Sequence, residues 1–159
     1  MTSLRERSGA RLAVVQALYE MEISGKGVIE ALAEFEAHWI GREVDGIAHP
    51  QAEVAFFRDL LRGVVEEQRA IDPQVDQALA NGWPLKRIEA VLRAILRAGT
   101  YELMFRRDVP ARAVISEYVA VADSFFGGEE PGVVNAVLDK IARSVRGAEF
   151  AGLPGSVKG

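Results

Sequence analysis

The side chains able to do acid–base or nucleophilic chemistry are few in this sequence, and their spacing does not suit it. The two histidines, His38 and His49, stand apart across a polar, glycine-bearing stretch. Neither has the helical histidine partner that a His-Glu-x-x-His metal site needs. There is no cysteine, which removes thiolate nucleophiles, Cys-based zinc sites and disulfides together and fits a reducing, cytoplasmic setting. Carboxylates adjoin at Glu66-Glu67 and Glu129-Glu130, but neighbours on a helix point to different faces and do not make an acid–base couple. Phe126-Gly127-Gly128 lacks the spacing and the preceding strand of a dinucleotide loop. The sequence therefore predicts no enzyme, no metal and no cofactor.

Arginine is the more promising type. On a helix Arg7 and Arg11 are four apart and share a face, and Arg5 sits at the fraying start. The planar guanidinium fork donates two hydrogen bonds at once to a phosphate. Three such contacts on a single strand would give a salt slope of only about −2. A solvated helix start has the same pattern and is the commoner occupant of it, so spacing alone leaves both readings open. The net charge of −4 is no guide, because the charge is unevenly spread. Arginines gather before residue 12, whereas Glu20, Glu22, Glu30, Glu34 and Glu36 follow. A second basic group, Arg106, Arg107 and Arg112, follows the most apolar helix, which itself carries Lys86, Arg87 and Arg93.

These residues need helices to position them. Over 85–104 the apolar residues Ile88, Val91, Leu92, Ile95, Leu96, Leu103 and Met104 keep helical spacing on an unusually wide stripe. Such a face needs covering from more than one side, and Gly99 within it calls for close approach by a neighbour. Helix one is expected over Ser8 to Ile23, closed by Gly25 and Gly27, and helix two over Ile29 to Ile40. Gly41 to His49 is expected to be a loop, and Pro50 to start helix three. Asp72-Pro73 reads as an N-cap and first position for a short helix four ending at Asn81-Gly82. Helix six is expected over Ala111 to Phe125, broken from helix seven by Gly127 to Pro131. The prediction is all-α: about seven helices in two three-helix-type bundles sharing the central helix, as one domain over 1–146, with a flexible tail over 147–159. No apolar run approaches the roughly 18 residues of a membrane span, and no signal core follows the N-terminus.

Five blocks, in order, resemble the NusB family of transcription antitermination factors. They are Ala10-Arg11 with Ala13 to Tyr19; Phe56 to Val64; Ala94 to Leu103; Asp108-Val109-Pro110 with Ile115-Ser116-Glu117; and Val134 to Ile141. The resemblance spans about Arg5 to Arg143. It implies a non-enzymatic, all-helical protein that binds boxA RNA of ribosomal leader transcripts together with NusE, the ribosomal small-subunit protein. It further implies work within the RNA polymerase antitermination complex, letting the polymerase read through terminators. Carried over by position, RNA contacts fall on Arg5, Arg7 and Arg11, and on Glu129, Glu130, Gly132 and Val133; partner contacts fall on Glu102 and Glu117. Ser8 and Gly9 stand where some members continue the arginine run. Gly132-Val133-Val134-Asn135 replaces Lys-Phe-Val-Asn, losing a charge and a ring. Leu92 and Ser116 replace acidic and asparagine residues. Two other readings stay open: a helical scaffold or self-associating module without RNA binding, and a stand-alone relative of the NusB-like domain of ribosomal RNA cytosine methyltransferases.

Overall fold

The wide apolar stripe becomes α5, Ala90–Phe105, and from Ala94 to Leu103 every residue except Arg97 is buried. The computed structural model describes residues 4–38, 43–44, 47–48, 52–79 and 88–151. The described elements are α1 (Leu4–Ser24), α2 (Val28–His38), β1 (Glu43–Val44), β2 (Ile47–Ala48), α3 (Ala52–Glu66), α4 (Gln68–Ala78), α5, α6 (Ala111–Phe125), α7 (Glu130–Val145) and α8 (Gly147–Phe150). Helix α5 packs against α1 and α3 on one side and against α4, α6 and α7 on the other, so it serves two bundles at once. That two-sided cover is why its stripe is too wide for an ordinary surface helix.

Two glycines are present because helices touch their backbone. A Cβ on Gly99 would lie 2.8 Å from Leu138 Cδ1 and 3.3 Å from Tyr118 Cδ2, the close approach its position called for. At Gly63 of α3 a Cβ would fall 2.1 Å from Tyr101 Cζ, so the hydroxyl end of the Tyr101 ring lies against the α3 backbone. Gly63→Ala must expel that ring, and urea unfolding should show a loss of about 1–3 kcal/mol, as for an overpacked core site.

Several local expectations shift. Helix α1 starts earlier than Ser8 and closes at Gly25, whose positive φ of 77° is the left-handed stop glycine supplies cheaply. The stretch expected as a loop over Gly41 to His49 holds a minimal antiparallel ribbon, with Glu43 opposite Ala48 and Val44 opposite Ile47. Asp72-Pro73 does not start α4. The cap is Glu67, and Pro73 lies inside the helix. The backbone bond lost at Pro73 falls on an exposed turn, while Ile71 and Val75 are fully buried and hold the helix down. Asp72 is engaged elsewhere, accepting from Arg97 at 2.9 Å twice. Helix α5 starts at Ala90, later than expected, with the Glu89 side chain accepting from the Val91 N–H. The tail expected from 147 begins instead as α8, because Phe150 has an apolar seat and is only 4% exposed. Pro50, Asn81-Gly82, Trp83-Pro84, Lys86 and Arg87 lie outside the described residues. Among the described residues no helix is long and apolar enough to cross a membrane.

Candidate nucleic-acid interface

The arginine-bearing start of α1 meets α3, the end of α5 and the start of α6. Arg11, expected at the surface, is instead 2% exposed. Its Nε donates to Glu102 Oε2 at 2.7 Å and its Nη2 to Glu102 Oε1 at 2.9 Å, a bidentate pair across α1 and α5. Its Nη1 donates to Glu117 Oε1 at 2.9 Å, reaching α6. Ser8 Oγ donates to the same Glu117 oxygen, and the Tyr118 hydroxyl donates to Glu102 Oε2 at 2.5 Å. Burial works against the Arg11 charge, but the Glu102 carboxylate outweighs it and drives the pKa up. Burial, and then the Glu102 charge, hold the Tyr118 hydroxyl well above its usual range, so it stays a donor.

Two sequence expectations are thereby corrected. Arg11, buried and committed to Glu102 and Glu117, presents no surface to RNA, and Glu102, with no exposed surface, presents none to a partner. A face argument places Arg11 beside Arg7 but cannot see the carboxylate that α5 brings across from 91 positions away. Glu117 keeps 29% of its side chain exposed while holding Ser8 and Arg11.

Arg7 is the free member of the group. Its guanidinium lies 4.6 Å from the centre of the Phe56 ring and has one long contact, 4.0 Å to Asp108 Oδ2. Arg106 shares the same ring at 5.0 Å, and Arg11 reaches it from below at 5.1 Å. An aromatic face attracts cations without neutralising them, and Phe56 gathers three guanidiniums at one place. Arg106 also donates to Asp108 and to Asp59, each at 3.0 Å, which pins the turn after α5. The Arg106 hydrogen bonds hold the Asp108 carboxyl below its ordinary range. Sequence reasoning left open whether the second basic group joins the first. Arg106 does, through Phe56 and Asp108. Arg107 instead donates to the Val145 carbonyl, and Arg112 lies 5.9 Å from the Phe150 ring. Arg5 belongs to α1, but its side chain is outside the described residues.

Glu129, Glu130, Gly132 and Val133 form the start of α7, with Glu130 in its first turn. They stand at the far end of α6 from Asp108, roughly 22 Å along a helix of this length. The structure therefore does not join them to the Arg7 patch. Their carboxylates occupy the positive end of the α7 dipole, where a phosphate would otherwise be favoured.

A separate apolar groove of about 500 Å³ opens between α1, α5 and the end of α6, lined by Val15, Tyr19, Ile23, Val91 and Phe125. Ile23 is 66% exposed and Tyr19 and Phe125 each 39%, so three large apolar side chains face water together. Clustered exposure of this kind marks a protein contact. The sequence carries a signal for it: Tyr19 and Ile23 are four apart on α1, off the face that buries Ala10, Val14 and Ala17. Among the described residues no group of carboxylates and histidines is placed to hold a metal ion.

Comparison with known proteins gives the family and the fold. A family model described as the NusB family matches residues 8–143. The transcription antitermination protein NusB of Bradyrhizobium diazoefficiens is 60% identical over 144 residues, which cover 91% of this chain and 87% of that one. The protein of the same name from Nitrobacter hamburgensis is 61% identical over 145 residues, covering 91% of each. Among solved structures, T. maritima NusB matches with a TM-score of 0.77 at 29% identity, over 94% of this chain and 99% of that one. A complex of the antitermination factors NusB and NusE with double-stranded RNA matches in fold, with a TM-score of 0.75 at 24% identity over 89% of this chain and 99% of that one.

Proposed function

Because the chain belongs to the NusB family, we propose that it is a cytoplasmic transcription antitermination factor, acting without enzymatic chemistry of its own. In this reading it binds boxA RNA of ribosomal leader transcripts together with NusE and delivers both to the antiterminating RNA polymerase. Residues 1–146, with the α8 turn docked on them, act as one RNA- and protein-binding domain. The observation that carries the reading is identity of about 60% over nine-tenths of the chain to proteins named for antitermination.

The structure supports a division of labour. Arg7, held on the Phe56 ring, supplies positive charge for the RNA backbone, Arg106 on the same ring adds a partly exposed guanidinium although it pairs with Asp59 and Asp108, and Arg5 is a further RNA contact. Arg11 acts on RNA only by fixing the pitch of α1 against α5 and α6. The groove of Tyr19, Ile23 and Phe125 is the surface for NusE, since it is apolar where the arginine end is charged. The start of α7, from Glu129 to Val133, serves as a secondary RNA contact through the exposed Val133 and Gly132, since Glu129 and Glu130 already occupy the positive end of the helix.

A binding series with boxA RNA, with and without NusE, over increasing salt tests this. Arg7→Glu combined with Arg106→Gln should weaken the complex about 10- to 100-fold, the scale of losing charge-assisted hydrogen bonds. The salt slope should become shallower by about 0.7 per lost phosphate contact. Unchanged affinity and slope, with helicity intact, would refute the assignment of the patch.

A further inference from the structure

Beyond the arginine patch, between α3 and the last turn of α5, lies a cavity of about 330 Å³ bordered by Asp59, Arg62, Gly63, Glu66, Tyr101 and Phe105. Its wall is a stacked aromatic pair. Phe105 lies 5.3 Å from Tyr101, centre to centre, at 29°. Tyr101 is fixed from two sides, with its ring against Gly63 and its hydroxyl donating to Asp59 at 3.1 Å. Phe105 is 41% exposed, a large apolar ring stacked on Tyr101 with surface left to cover. A flat partner stacked there would recover that surface at little cost in ordering.

The charges around the cavity say what kind of flat partner enters. Asp59, Glu66 and Glu67 line it together with Arg62 and with Arg58, whose charge is met by Glu36, so carboxylates outnumber the remaining cation and an anionic group is disfavoured inside. Carboxylates accept hydrogen bonds from the exocyclic amino groups of nucleobases. Arg62 is exposed and makes no ion pair among the described residues, which leaves its fork for a phosphate outside the cavity. The cavity also continues the patch already described. Asp59 accepts from Tyr101 on the cavity side and from Arg106 on the other, and Arg106 sits on Phe56 beside Arg7.

We propose that this cavity receives one base of the single-stranded RNA engaged by Arg7 and Arg106, stacked on Phe105, with Arg62 on the adjoining phosphate. The inference rests on the RNA reading above and extends its footprint from backbone contact to base contact. Glu66 and Glu67, the lining carboxylates not engaged by Tyr101 or Arg106, favour an amino-bearing base over uracil.

The test uses the full chain and a single-stranded boxA-type RNA carrying 2-aminopurine at successive positions. One position should lose fluorescence on binding, and that loss should vanish in Phe105→Ala. Affinity should fall roughly 5- to 150-fold in Phe105→Ala, the scale of one lost base–aromatic stack, and stay near the parent in Phe105→Trp. Placing uracil at the quenched position should weaken binding in the parent and not in Phe105→Ala. If Arg7→Glu weakens binding while Phe105→Ala does not, and no position is quenched, the cavity inference fails and the RNA reading stands. If neither variant changes RNA affinity, both fail. A Phe105→Ala effect confined to NusE binding would make the cavity a protein contact and overturn the inference.

Discussion

Arg11→Met is expected to destabilise the fold by about 3–5 kcal/mol, the usual cost of removing one partner from a buried ion pair. Glu102 would be left buried, with the Tyr118 hydroxyl as its one remaining donor among the described residues. Against a total stability of about 5–15 kcal/mol, that is a large fraction. For a chain of this length the thermal midpoint should fall on the order of 10 °C, read by circular dichroism. The loss reflects an uncompensated charge, so it should be reversible by removing the rest of the network. Arg11→Met with Glu102→Leu and Tyr118→Phe replaces it by apolar groups of similar size and should recover most of the stability. If Arg11→Met melts with the parent and loses RNA affinity alone, Arg11 is a surface contact and the burial assignment is wrong. The distinction matters for any arginine scan of the N-terminus: Arg7 variants should move RNA affinity without moving the melt, and Arg11 variants should move both.

Arg146→Ala should cost a similar amount, about 3–5 kcal/mol, at a site with no role in RNA contact. Arg146 is 2% exposed and lies just beyond α7. It donates to the carbonyls of Glu102 at 2.9 Å, Leu103 at 2.8 Å, Arg106 at 2.7 Å and Val109 at 2.5 Å. They gather at the end of α5 and the following turn, where the Glu102 carbonyl also accepts from the Arg106 N–H and the Arg106 carbonyl from the Val109 N–H, so Arg146 fills their remaining lone pairs. A cation there also complements the negative end of the α5 dipole. Glu149 completes the arrangement, holding Arg146 at 2.9 Å and accepting from the Ala111 N–H at 2.9 Å, which ties α8 to the start of α6. Hydrogen exchange should therefore show the α5–α6 turn and the start of α6 opening together in Arg146→Ala. Exchange unchanged in that turn would remove the staple from the account. Arg106 sits in the same turn, so some loss of RNA affinity should follow and should be regained at lower temperature.

Much of the fold was legible because apolar spacing reports how many sides of a helix are covered. The stripe of α5 announced a two-sided pillar, and Gly99 announced a neighbour at its backbone; Leu138 of α7 is that neighbour. Helix α6 was expected over the bounds it takes, Ala111–Phe125, because Pro110 and the Phe126-Gly127-Gly128 run punctuate both ends. The start of α4 was misread because Asp72-Pro73 looks the same locally whether it opens a helix or lies within one. Only Arg97, arriving from α5, commits Asp72 to a pair.

By itself, then, the sequence determined the all-helical class, the central helix, the family and the end of the molecule that carries positive charge. It could not rank three arginines with identical intrinsic chemistry. Spacing along one helix places a side chain on a face but does not say what another helix presents to that face. The fold buries Arg11 against Glu102, leaves Arg7 on the Phe56 ring and brings Arg106 to the same ring. That sorting depends on contacts between α1, α3, α5 and α6 that are distant in sequence, and only the tertiary structure decides it.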